Sequence, residues 1–339
     1  MKKIVYFLPV ALFSLSGFAQ DSNLKKYLPE IHGTIRGKYE YQTSIGEQRF
    51  QVRTARVSVE GKVLPIVSYK AEVDLCDEGV IKMLDAYARV TPIENFDVTI
   101  GQMRIPFTID AHRSPHLQYF ANRSFISKQM GSMRDAGATL RYTLKEGFPM
   151  QIEAGLFSGS GLTEQKGWHK SLCYSGKIIM TPVKGYNLTL STQRIHPTGT
   201  TNIYMYDAGT FYEWRNWHFE VEAMYKNYAH SDMKDVWAVD AFVNYDYFLK
   251  KEKSLIKKVS FLARYDSMGD NCDGSVDEDG NMYITDYARK RFTGGFTFSL
   301  GTPFQADLRV NYEKYWYDHQ SLAKESEQDK LVVEMMVRF

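Results

Sequence analysis

Cations crowd one stretch of this chain. Between Gly101 and Arg141, the residues Arg104, Arg113, Arg123, Lys128, Arg134 and Arg141 stand against only Asp110 and Asp135. A planar guanidinium bonds two oxygens of one anion at once, so a cluster of this kind suits the guiding of oxyanions wherever it faces a confined aqueous space. The same stretch holds His112, Ser114 and His116, residue types from which a hydrolase assembles a nucleophile, a base and an orienting partner. No nucleophile-elbow or zinc-protease pattern accompanies them, and an enzyme is not expected. Farther along, Asp277 and Asp279 sit two apart before Gly280 and partly copy a calcium loop, but an acidic first ligand and a closing glutamate are missing. They are weak candidates for a metal, and a hydrated acidic loop is the plainer reading. No cofactor is called for. Cys76, Cys173 and Cys272, odd in number and widely spaced, suggest neither a disulfide framework nor a zinc site.

The elements that position these groups follow from the hydropathy period. From Ile31 to Gln42, the residues Ile31, Gly33, Ile35, Gly37, Tyr39 and Tyr41 alternate with His32, Thr34, Arg36, Lys38, Glu40 and Gln42. A helix would scatter those charges around its circumference, whereas a strand puts them on one face. The alternation returns at 67–76, 217–226, 236–248, 259–266, 292–300 and 304–312, and about sixteen strands fit after residue 30. Short turns such as 182–185 and 301–303 alternate with long polar insertions at 101–131, 158–167 and 269–285. Two-faced strands joined by short turns on one side and long loops on the other are the pattern of an antiparallel transmembrane β-barrel, apolar outward and polar inward.

Composition and both ends agree with that class. Aromatic residues make up 14% of the chain, yet no apolar run after the first twenty residues is long enough for a membrane helix. Lys2 and Lys3, the apolar stretch from Ile4 to Leu15 and Gly17-Phe18-Ala19 read as a cleaved secretory signal over residues 1–19, followed by a short lead at 20–29 and a barrel at 30–339. Without Lys2 and Lys3 the charges balance at 40 of each sign, so no partnership with nucleic acid is expected. The last stretch alternates through Leu331, Val333, Met335, Val337 and Phe339 and closes on an aromatic residue, the pattern of an outer-membrane assembly signal.

Several motifs resemble those of the phosphate-selective porin O and P family. Phe50 to Gly61, with Arg53 and Arg56, resembles its arginine-rich second strand; Asp85-Ala86-Tyr87 and the run from Gly101 to Phe107 resemble the strand pair leading into its constriction loop. Arg134-Asp135-Ala136-Gly137 and Ala263-Arg264-Tyr265-Asp266 are further likenesses, in the same order along the chain. The resemblance implies a sixteen-stranded, usually trimeric barrel whose third loop folds inward and narrows the pore.

Strand parity places Arg36, Lys38, Arg56 and Arg141 in the lumen, and Arg53 as well if the second strand keeps the family's register. The same parity turns Glu40, Glu60, Glu72, Asp74, Glu153, Glu220 and Glu222 inward. The arginines therefore have two possible duties, guiding anions or pairing with carboxylates to stiffen the wall. The expectation is an outer-membrane channel, set in lipid as a homotrimer, that passes small hydrophilic solutes and favours anions such as phosphate. A secreted β-rich adhesion protein, or less readily an outer-membrane hydrolase, would share the composition.

Overall fold

A computed structural model describes residues 25–339 except 77–79, 130–132, 164, 197–201, 251–253, 302–304 and 320–322. The expected signal segment and the start of the lead lie outside the described residues, as do the side chains of Lys128 and Gln129. Sixteen strands run in order. The first eight are β1 (Glu30–Gln42), β2 (Glu47–Leu64), β3 (Val67–Asp74), β4 (Lys82–Ile93), β5 (Phe96–Arg104), β6 (Arg134–Leu144), β7 (Met150–Phe157) and β8 (Cys173–Met180). The rest are β9 (Tyr186–Ile195), β10 (Ile203–Trp214), β11 (Trp217–Tyr228), β12 (Val236–Phe248), β13 (Ile256–Met268), β14 (Arg289–Leu300), β15 (Gln305–Tyr317) and β16 (Lys330–Arg338). Each pairs antiparallel with the next, and β16 pairs with β1 from Gln42↔Lys330 to Thr34↔Arg338, so the sheet closes without an edge. Beyond that last pair, Gly33 and Phe339 exchange both backbone hydrogen bonds, at 2.7 and 3.0 Å. The Phe339 ring lies where a Cβ on Gly33 would stand, 2.3 Å from the nearest ring carbon, so only glycine seats it there.

The barrel is inside out relative to a soluble protein. Glu222, Glu313 and Glu334 are fully buried, while Phe50 is 86% and Trp237 62% exposed. A water-soluble sandwich would reverse these faces, because leaving such apolar area in water costs ~25 cal/mol per Å². Outward aromatics gather near both ends of the wall: Trp217 packs on Phe219 and Tyr245, and eight residues along β11, Tyr225 packs on Tyr206 and Trp237. That separation is about 27 Å of strand, and it matches aromatic girdles at the two membrane interfaces.

Connections alternate in length around the rim. Turns such as 65–66, 94–95 and 215–216 lie at one end; at the other, 105–133, 158–172 and 269–288 are the long loops. The longest, between β5 and β6, carries a 3-10 turn at Pro115–Leu117 and the short helix α1 at Phe125–Gln129. It packs against inward-facing residues. Ile105, Phe107, Phe125 and Ile126 from the loop form one buried apolar cluster with Met205 of β10, Met224 of β11 and Val236 and Ala238 of β12. Those strands depart from the expected polar lining just where the loop lies on them.

Candidate functional site

A loop inside a barrel has backbone groups that no strand can satisfy, and burying one unpaired is costly. Wall side chains do the work here, from two flanks. On one flank, Thr108 donates its N–H to Ser191 Oγ at 3.0 Å and receives Lys177 on its carbonyl. Glu222 accepts the N–H groups of Ile109 and Asp110, and Arg113 reaches Glu220 at 2.5 Å. On the other flank, Arg36 and Arg291 donate to the carbonyls of Ala121 and Arg123, each at 2.7 Å. There Asn311 accepts the N–H of Ala121 at 2.9 Å and Asp266 that of Phe125 at 3.1 Å. Thr108, a β-branched residue at φ 56, is held in the left-handed region by these bonds on both sides of its backbone.

Within the loop, Asp110 is the hub. Its carboxylate accepts the Ser124 N–H and hydroxyl, both at 3.1 Å, and the Ser127 hydroxyl. Burial alone would push its pKa up, but the facing Arg123 and Arg113 guanidiniums outweigh it and hold the carboxyl below its usual range. His112 is pushed well down, chiefly by burial and then by Lys177 and Arg104, so it is neutral and can donate from Nε2 to the Ile105 carbonyl at 2.8 Å. His116 falls to about 4, through burial and then the charge of Arg338, which donates to its ring. Neither imidazole is hydrogen-bonded to Ser114 among the described residues, so the elements of a hydrolytic triad are not joined.

The expected cationic residues divide into two sets. Most are neutralised: Arg36 by Glu334 at 2.6 Å, Lys38 by Glu40 at 2.8 Å, Arg56 by Asp74 at 2.9 Å, Arg134 by Asp85 at 2.7 Å, Arg141 by Glu153 at 2.9 Å, and Arg113 by Glu220. Three carry no ion pair among the described residues. Arg104 donates to the carbonyls of Ala111, His112 and Arg113 at 2.9–3.1 Å, and Arg123 to those of Asp110 and Arg113. Carbonyls bind a guanidinium without cancelling its charge, and Arg123, lowered by burial to about 10, stays protonated at neutral pH.

Arg53 is the third, and a bulge explains its place. Arg36 faces Thr54 across the β1–β2 ladder but Gly37 faces Val52, leaving Arg53 as the extra residue. Arg49 and Gln51 then oppose Glu40 and Lys38, so inward positions are odd before the bulge and even after it. Arg53 joins the lumen although simple alternation with Arg56 would turn it outward.

Between the loop and this wall lies a cavity of about 380 Å³. Arg36, Lys38, Arg53 and Arg123 line it together with Arg49, Arg291 and Lys330, which the motif reading missed, against the single carboxylate Glu40. Arg291, Arg309 and Lys330 all obey the parity that exposed Arg36, so applying it equally to β14, β15 and β16 would have found them. The acidic segment offers less. Asp277 spends Oδ1 on the N–H groups of Asp279 at 3.1 Å and Asn281 at 2.8 Å, capping its own turn. Among the described residues the trio within ligating reach is Glu30, His32 and Glu60, where Lys70 already sits 3.4 Å from Glu60.

Several solved structures share this architecture. The outer-membrane channel DcaP of Acinetobacter baumannii is 14% identical with a TM-score of 0.60, covering 92% of this chain and 96% of its own. An anion-selective porin from Comamonas acidovorans is 10% identical with a TM-score of 0.60, over 92% and 98%. OmpT of Vibrio cholerae in its trimer form is 10% identical with a TM-score of 0.57, over 92% and 98%. At such identities the likeness is one of fold. No curated protein matches by sequence. The family described as phosphate-selective porin O and P matches residues 30–225, more than half the length. The chain is an outer-membrane channel protein and belongs to the phosphate-selective porin O and P family.

Proposed function

We propose that the barrel is a passive diffusion channel for small hydrophilic solutes that favours anions, phosphate among them, over cations. The observation that carries this reading is the charge of the 380 Å³ cavity: five arginines and two lysines line it with Glu40, and although Arg36, Lys38, Arg49, Arg291 and Lys330 are ion-paired, Arg53 has no carboxylate within ion-pair distance among the described residues and Arg123 has only the more distant Asp110. In a low-dielectric wall such uncompensated charge concentrates anions and repels cations. The resemblance to an anion-selective porin supports the same direction. Around the cavity, paired arginines hold the loop and so set the width of the path. The protein works as a homotrimer in outer-membrane lipid after export through the signal segment at residues 1–19, a state for which the trimeric OmpT offers a precedent of fold.

Reconstitution into planar bilayers tests the proposal directly. Discrete conductance steps and a reversal potential of anion-selective sign in a potassium chloride gradient are expected, with phosphate substituting for chloride. A cation-selective reversal potential would refute the anion preference while leaving the channel standing.

A further inference from the structure

At the turn end of β1 and β2, two carboxylates stand directly opposite each other. Glu30 pairs with Glu60 across the ladder, and both face the lumen by the parity of Arg36 on β1 and of Arg56 beyond the bulge on β2. Like charges so placed repel. His32, two residues from Glu30 on the same face, brings Nε2 to 3.8 Å from Glu30 Oε2 and 3.6 Å from Glu60 Oε1. All three ligand atoms lie within 4.8 Å of one another.

The charges around the trio do not cancel it. Arg56 holds Asp74 at 2.9 Å and Arg134 holds Asp85 at 2.7 Å, while Lys70 lies 3.4 Å from Glu60 Oε2 and 3.6 Å from Glu72 Oε2. Glu72 also receives Arg56 at 3.4 Å and Arg134 at 3.3 Å. Setting these three cations against Asp74, Asp85 and Glu72 leaves the charges of Glu30 and Glu60 as the surplus. Among the described residues, Lys62, next on that face of β2, and Arg338, which donates to the His116 ring, form no ion pair with either. A dication would supply the missing charge.

The imidazole decides which dication. Magnesium and calcium take oxygen ligands, whereas zinc accepts histidine nitrogen and carboxylate oxygen together at ~2.0–2.1 Å, which sets neighbouring ligands about 3.3 Å apart in a tetrahedron. The two histidine separations exceed that by a few tenths of an ångström, and the Glu30 side chain, 75% exposed, is free to swing inward. Lys70 engages Glu60 Oε2 and leaves Oε1 to the ion. Such an outer contact orients a ligating carboxylate, although the ammonium charge also opposes the metal. Three protein ligands leave a fourth position open to lumen water.

We propose that Glu30, His32 and Glu60 form a binding site for a zinc-class divalent cation at the turn-end mouth of the pore. The site is separate from the cationic cavity and does not depend on the anion preference. With the ion bound, the mouth loses the two negative charges that would repel an entering anion.

Equilibrium dialysis of zinc against the purified, tag-free full chain in micelles tests the site without requiring conductance. Native protein should retain one zinc per chain in the presence of excess magnesium. His32→Gln should weaken binding by at least about tenfold, since even contacts behind a ligand are worth that much. Glu30→Gln should weaken it severalfold, and as a largely exposed change it serves if the His32 variant does not assemble. Lys70→Met, which removes the opposing charge, should tighten binding about threefold to tenfold. No zinc retained by native protein, displacement by magnesium, or an affinity unchanged in the His32 and Lys70 variants overturns the proposal. Conductance without zinc binding sinks the site and spares the channel; zinc binding without conductance does the reverse.

Discussion

Arg53 and Arg36 line the same cavity, yet only Arg36 is spent on a carboxylate, and replacing each in turn by alanine separates selectivity from architecture. Either change removes one positive charge from the path. A monovalent anion passing about 6 Å from a guanidinium gains ~0.7 kcal/mol at the dielectric of water and several times more in a less polar lumen. At 0.1 M salt, screening over that distance roughly halves the gain. Anion occupancy then falls about two- to threefold while cation occupancy rises by the same factor, so the permeability ratio drops about fourfold to tenfold. Stability divides the two variants. Arg36→Ala strips Glu334, which is fully buried, of one of its two arginines and frees the Ala121 carbonyl of the loop, a loss of about 3 kcal/mol for breaking a buried pair. Arg53 has no such partner among the described residues and should cost within about 0.5 kcal/mol. The assay is reversal potential in a tenfold potassium chloride gradient, beside the denaturation midpoint of the heat-modifiable band. An Arg53→Ala channel with native selectivity would refute the assignment of uncompensated lumen charge to that residue.

Other consequences can be checked with the same preparations. Glu222→Leu removes the acceptor of the Ile109 and Asp110 N–H groups, so the loop should loosen, with larger and noisier conductance steps at unchanged barrel assembly; identical steps would argue against the latch. His116 has a folded pKa near 4, below the ordinary value of ~6.5, so the unfolded chain binds the proton first. Stability contributed by neutral His116 is full above about pH 6.5, is lost as pH falls towards 4, and is flat below that; His116→Gln should remove this slope from midpoints measured between pH 7 and 4. Gly33→Val displaces the Phe339 ring from its seat and should slow assembly into the heat-modifiable form severalfold, read as folded fraction against time in lipid vesicles.

Much of the barrel is legible in the sequence because its governing period is local. Alternation at 236–248 coincides with β12, and the sixteen strands are those counted from two-residue periodicity and turn signals. What escapes is whatever depends on pairing between distant segments. The place of Arg53 depends on where β1 and β2 fall out of step, a property of two strands that neither sequence states alone. Arg36 and the Glu334 that neutralises it are 298 positions apart, so a count of charges near the loop cannot tell a spent guanidinium from a free one. The apolar inward residues Met205, Met224 and Val236 look like lapses in the pattern until the loop helix is seen lying on them.

The same arrangement explains why a lumen so rich in arginine leaves few residues to select solutes. An inward loop needs partners for its backbone, and in a wall facing water long cationic side chains reach it best, so Arg36, Arg264, Arg291 and Lys177 are committed to loop carbonyls. Burying such charges demands carboxylates behind them, which Glu334 and Asp266 supply. Each pair so formed is electrically quiet towards a passing ion. Net field survives where geometry keeps a guanidinium out of ion-pair distance of a carboxylate, as the β2 bulge does for Arg53 and the loop's own carbonyls do for Arg104, and in part for Arg123, which Asp110 faces from farther off. The anion preference proposed for this channel therefore rests on the exceptions to its ion-pair network, and enlarging the network should reduce that preference even as it strengthens the wall.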